Sequence, residues 1–177
     1  MGRVVAVEIR QMREEDLEGF RAVFDIVARE RRFLLLFEAP PLENMRTSIQ
    51  QSIIRRHPRL IALDEGAVIG WCHVIPLEHA IAAHSGNLVM GLLPGYRGQH
   101  LGERLIRQAL EAADSFGLTR VQLGVFATNA PAARLYRKVG FVEEGLKRRA
   151  VCIDGVYIDE IMMARLKEYL PGAPFVS

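Results

Sequence analysis

The segment 87–127 narrows the choice of fold more than any other part of the chain. "NLVMGLL" (87–93) reads as a strand, interrupted at Gly91, which signals a bulge or a close backbone approach. Next comes a helix over 100–116, with Leu101, Leu105, Ile106, Ala109, Leu110 and Ala113 at helical spacing, and a stop at Gly117. "TRVQLGVFA" (119–127) is a second strand. A strand, a long amphipathic helix and another strand in succession make a right-handed crossover between parallel neighbours. Around that unit the pattern predicts a strand at 5–12, helices at 13–32 and 42–57, and a strand pair at 59–64 and 67–77 turning at "DEG". A connector at 78–86, a short helix at 129–139 and two strands across 141–166 turning at "IDGV" complete it. The order β-α-α-β-β-β-α-β-α-β-β is mixed α/β rather than doubly wound. No repeat or linker divides residues 1–177, which read as one domain.

The start of the long helix is unusual. Arg97, Gly98, Gln99 and His100 stand where a Ser, Thr, Asp or Asn oxygen normally caps the first turn. A helix start leaves four amides without partners, and together with the dipole they favour an anion such as a phosphate. Arg97 fits such a group as a cation, and Gly95, Gly98 and Gly102 let backbone approach it closely. Gly98 as a plain N-cap, with water on the amides, is the other reading. G-x-G-x-x-G and a P-loop Lys-Ser/Thr are both absent, which disfavours a dinucleotide or a nucleoside triphosphate.

Other classes find little support. A net charge of +2, with acids mixed among the basic clusters, does not call for nucleic acid. No apolar run reaches the ~18 residues of a membrane span, so the expected compartment is the cytoplasm. Cys72 and Cys152 sit in apolar strand runs without metal-ligand spacing and read as buried free thiols; no metal site is expected.

Downstream, "NAPAARLYRKVGF" (129–141) is a short helix with Asn129 as N-cap, Pro131 in its first turn and Gly140 as its stop. Together with "YRGQHLG" (96–102), it resembles the two signature motifs of the GNAT N-acetyltransferase superfamily. The second motif, Asn-x-x-Ala-x-x-Leu-Tyr-x-x-x-Gly-Phe, matches at Asn129, Ala132, Leu135, Tyr136, Gly140 and Phe141. The resemblance implies a GNAT-like fold: a mostly antiparallel sheet whose one parallel pair splays at the cofactor site, with helices on both faces. It implies acetyl-CoA as co-substrate and direct attack of an amine on the thioester through a tetrahedral intermediate. The pyrophosphate would lie on the amides of Arg97, Gly98, Gln99, His100, Leu101 and Gly102. The main chain of Leu92, Leu93 and Pro94 would pair with the pantetheine arm, helped by Asn129. Tyr136 would give a proton to the leaving thiolate, and the amide near Leu92 would polarise the thioester oxygen.

Two positions depart from the pattern. His100 stands where the motif has glycine. Either it sits in the first helical turn, where only its amide matters, or its protonated ring adds a second positive group for phosphate. The latter implies weaker binding above pH ~6.5. Asn87 stands near the place where relatives carry a carboxylate base; asparagine orients a water but takes no proton. His84 is the first choice of base, with His73, Glu78, His79, Asp159 and Glu160 as the others. The region 33–57, including "FLLLF", is expected to shape the acceptor pocket for a small-molecule, amino-acid or peptide amine. A homodimer through the C-terminal strands fits such folds. The rival reading is a non-catalytic CoA-binding module with the same fold.

Overall fold

Among the described residues, alternating apolar side chains on seven strands need cover on both sheet faces, and four helices supply it. The computed structural model describes residues 7–167. The elements are β1 (Glu8–Gln11), α1 (Leu17–Arg29), α2 (Leu42–Ile54), β2 (Arg59–Asp64), β3 (Ala67–Pro76), β4 (Ser85–Leu92), α3 (Leu101–Phe116), β5 (Arg120–Phe126), α4 (Ala130–Lys138), β6 (Val142–Ile153) and β7 (Val156–Leu166). They form one mixed sheet in the order β1-β2-β3-β4-β5-β7-β6. Only β4 and β5 run parallel; the other pairs are antiparallel. The order of elements matches the sequence pattern. The first strand runs from Glu8 within the described residues, positions 5 and 6 of the predicted strand lying outside them, and β4 begins at Ser85, inside the predicted connector. The chain's tail beyond 167 lies outside the described residues.

The helices divide between the two faces. α3 and α4 cover one, where Leu105, Ile106, Ala109 and Val121 are almost fully buried. α1 and α2 cover the other, where Phe20, Val23, Ile49, Ile61 and Trp71 form a second cluster. Of the cysteines, both free, Cys72 is buried and Cys152 is exposed, which corrects the expectation for the second. Residue 152 lies on the outermost strand, β6, most of whose side chains face solvent.

Gly91 is a point of close approach and not a bulge. The β3–β4 register runs without a shift from Gly70↔Leu92 to Pro76↔Gly86, so Gly91 stays opposite Trp71. The indole lies over its Cα, and a Cβ there would run into the ring. Trp71 has little freedom to yield, because Phe20 meets it edge-on at 5.5 Å and Phe24 stands at 5.3 Å. Gly91→Ala is therefore expected to cost about 1–3 kcal/mol of stability, read as a lower denaturation midpoint.

Candidate active site

The site begins where two strands part. β4 and β5 are in register only over Ser85↔Arg120, Gly86↔Val121 and Asn87↔Gln122. Beyond Asn87, β4 stays on β3 while β5 stays on β7, and a gap opens between them. The Leu93 amide donates to the Ile69 carbonyl at 2.9 Å, so odd-numbered residues here bond to β3. By the alternation of an antiparallel ladder, the polar groups of Met90 and Leu92 point into the gap. This corrects the expected edge of Leu92, Leu93 and Pro94. Leu93 spends its amide on β3 and Pro94 has none to offer, so the open edge is Met90 to Leu92.

A cavity of about 660 Å³ fills the gap's α3 side. It is lined by Met90, Gly91, Leu92, Arg97, Gly98, His100, Gly102, Asn129, Leu135 and Tyr136, among others. α3 carries no side-chain cap. None of the amides from Gly98 to Glu103 meets an acceptor among the described residues; the first paired one is Arg104, which donates to the His100 carbonyl at 3.2 Å. These amides and the dipole make an anion cradle. Gln99 turns its side chain away to the Gly95 carbonyl, and Leu101 buries its own in the core. Their amides alone face the cradle. Asn129 accepts from the Ala132 amide at 3.3 Å, capping α4 at the cavity wall.

Arg97 does not wait for the phosphate. Its guanidinium is clasped by both carboxylate oxygens of Glu30, at 2.8 and 2.5 Å, and its Nε donates to the Leu92 carbonyl at 2.9 Å. It also lies over the Phe33 ring, 4.9 Å from the centroid. Its side chain thus ties the end of α1 and the 30–37 segment to the rim of the cradle, and its amide donates to the Pro94 carbonyl at 3.3 Å, so the cradle begins at Gly98 and not, as expected, at Arg97. Arg32, which sequence reasoning passed over, lines the same cavity without an ion-pair partner among the described residues.

His100 is the N-cap itself, with φ 59° and ψ 2°. It is not in the first turn, and this left-handed conformation is the physical reason glycine suits the position. A Cβ there costs about 1–2 kcal/mol, although histidine tolerates it better than branched residues. His100→Gly should raise stability by about 1 kcal/mol. If the ring contributes no charge to binding, acetyl-CoA affinity will show the same pH profile in variant and wild type.

A second cavity, of about 770 Å³, opens on the α1–α2 side of the gap. Phe20, Phe24, Leu34, Leu35, Leu36, Trp71, Val89, Phe126 and Met162 give it an apolar wall. Three residues, Phe33, Met90 and Tyr136, line both cavities. Tyr136 is 8% exposed, and its hydroxyl has no hydrogen-bond partner among the described residues. Burial pushes the phenol up, so it is protonated at neutral pH. Asn87 sits at the fork and accepts from Gln122 Nε2 at 2.9 Å.

The expected bases separate by position. His84 is exposed, lines neither cavity, and offers its carbonyl to the amides of Thr119 and Arg120. Glu78 and His79 are exposed and also outside both. Asp159 accepts from the Arg149 amide at 2.7 Å, away from the cavities. Glu160 lines the second cavity with its carboxylate over Gly124, held by Lys147 at 3.1 Å. His73 lines it too, beside Arg59, which the sequence reading did not single out.

The model of the acetyltransferase (GNAT) family matches residues 20–141, more than half of the chain. The chain belongs to this family. Among curated relatives, L-amino acid N-acetyltransferase AaaT of Escherichia coli is 28% identical over 110 residues, 62% of this chain and 68% of that protein. N-alpha-acetyltransferase RimI of Mycobacterium tuberculosis is 33% identical over 90 residues, 51% of this chain and only 55% of its own length. A structure from Salmonella typhimurium that holds its cofactor acetyl-CoA superposes with a TM-score of 0.88 at 17% identity, covering 97% of this chain and 99% of that one. That likeness concerns the fold.

Within a GNAT fold, the unpartnered amides of 98–103, the open edge at Met90 and Leu92 and the roomy first cavity suit a diphosphate on an extended arm. By that chemistry the residues present fit acetyl-CoA. The sequence reading did not single out Arg59, and it named Glu160 as a base candidate without separating it from Asp159. Arg59 belongs to no motif, and only the β2–β3 register brings it beside His73. Glu160 differs from Asp159 only in which sheet face it takes.

Proposed function

We propose that this chain transfers an acetyl group from acetyl-CoA to a primary amine by direct attack, with Tyr136 as general acid and Glu160 as proton acceptor. One observation carries the reading. The cavity at the anion cradle and the apolar cavity on the opposite face meet at Tyr136, Met90 and Phe33, so a thioester and an amine entering from opposite sides come together there. The Leu92 amide, which points into the gap, is placed to stabilise the oxyanion. Cys72 is no rival nucleophile. Burial pushes its thiol up, and a thiol that stays protonated attacks poorly. The amines named for the relatives, L-amino acids and α-amino groups, both agree with this class of acceptor.

Melting temperature with acetyl-CoA, CoA and ATP, followed by thiol release over amino acids, polyamines and peptides, tests the proposal. At a hundredfold excess over Kd, acetyl-CoA should stabilise the chain by about 2.7 kcal/mol, and ATP should do nothing comparable. Stabilisation without thiol release from any amine would favour the non-catalytic module. A homodimer meeting along β6, where Val142 and Leu146 are exposed, belongs to the same reading; sedimentation as a monomer at high concentration would remove it.

A further inference from the structure

Arg59 is 5% exposed and has no acidic partner among the described residues. Burial pulls its guanidinium down to about 10, so at neutral pH it is a cation with no counter-ion among the described residues. Among the described residues the guanidinium makes one hydrogen bond, from Nη1 to His73 Nδ1 at 3.1 Å. Because arginine only donates, Nδ1 must be the accepting nitrogen and the proton of a neutral His73 sits on Nε2. Burial, with the Arg59 charge second, holds His73 well below its ordinary value and keeps it neutral.

Two buried donors are then left over, Arg59 Nε and His73 Nε2, and neither meets an acceptor. Arg59 Nη2, which lies on the same edge of the guanidinium as Nε, also lacks a partner among the described residues. An Nε/Nη2 edge is the side-on fork that grips a carboxylate through two parallel bonds. Both residues belong to the wall of the second cavity, next to each other across the β2–β3 ladder, with His73 on the strand beside β4 and Arg59 one strand further out. Glu160 stands on β7, at the other end of that cavity.

We propose that the acceptor is an apolar primary amine that also bears a carboxylate, held by Arg59 and His73 while its amine faces the gap near Glu160 and Tyr136. The assignment rests on the transferase reading for the identity of the amine end, but the anchor itself does not need it. A peptide N-terminus presents a neutral amide at that depth and would leave the guanidinium unmatched.

Matched pairs test this: L-phenylalanine against L-phenylalaninamide, 6-aminohexanoate against 6-aminohexanamide, and a peptide amide with N-terminal alanine as the rival. At least one acid should exceed its amide in kcat/KM by about 10- to 100-fold, with the peptide no better than the amides. Arg59→Met should bring that ratio near parity, leave the acetyl-CoA melting shift intact, and melt at or above wild type, since it removes an uncompensated buried charge. Arg59→Lys keeps the charge without the fork and should retain only part of the preference. Amides or the peptide matching the acids in wild type would overturn the proposal, as would a preference that survives Arg59→Met. Acids that neither bind nor react, while acetyl-CoA still stabilises the protein, would overturn the anchor and spare the cofactor site. Equilibrium binding of the same compounds to the CoA-free chain reads the anchor alone. Acids that bind where acetyl-CoA does not would keep the anchor and sink the transferase.

Discussion

Replacing Tyr136 with phenylalanine is expected to lower turnover by about 10²–10⁴-fold while acetyl-CoA binds as before. The side chain is buried among Phe141 and the α3-side core, and its hydroxyl has no hydrogen-bond partner among the described residues. Removing that oxygen therefore costs no internal hydrogen bond, and the folded state should keep its melting temperature. In the proposed reaction, what the variant loses exists only once the thiolate begins to leave. Such an interaction lowers kcat and kcat/KM together and does not move affinity. Because burial raises the phenol, its proton is present throughout the neutral and mildly alkaline range. Wild type should therefore show no alkaline loss of kcat from this group below about pH 10. Steady-state thiol release, paired with equilibrium titration of acetyl-CoA, separates the two quantities. Unchanged turnover would reduce Tyr136 to packing.

The residues that the sequence made legible are those whose role follows from local backbone. A helix start without a capping oxygen is visible in "RGQH", because N-caps belong to a short list of side chains, and the free amides from Gly98 to Glu103 follow from it. Asn129 and Gly140 punctuate α4 for similarly local reasons. What stayed hidden depends on pairings far apart in sequence. Arg97 looked like a phosphate ligand until the fold brought Glu30, 67 positions away, onto its guanidinium. Gly91 pointed correctly to a close approach, yet only the β3–β4 register identifies the approaching group as Trp71. His84 had suitable chemistry and lay next to the central strand. That strand starts at Ser85, which leaves His84 at the far end from the gap. Asp159 and Glu160 are neighbours of like charge, and a strand's period of two sends them to opposite faces.

That last distinction sets the second large effect. Glu160→Gln is expected to lower kcat/KM for the amine by about 10²–10⁴-fold, with acetyl-CoA affinity unchanged because the carboxylate lines the other cavity. In the proposed reaction a neutral amine attacks the thioester and its proton must leave as the tetrahedral centre forms, and glutamine keeps the shape of the acceptor while refusing that proton. The fold should survive. The partly exposed pair with Lys147 is worth at most about 1 kcal/mol, and the amide packs over Gly124 as the acid does. The pH profile makes the test specific. Without a built-in acceptor, transfer depends on the fraction of amine that arrives unprotonated, so activity of the variant should climb about tenfold per pH unit below the amine's own pKa and converge on wild type at high pH. Asp159→Asn, on the opposite face, should leave this profile alone, and the pair of variants then distinguishes a proton acceptor in the cavity from a general loss of negative charge on β7. A Glu160→Gln enzyme with wild-type rate and profile would return the proton to solvent, leaving the amine to enter the gap already neutral.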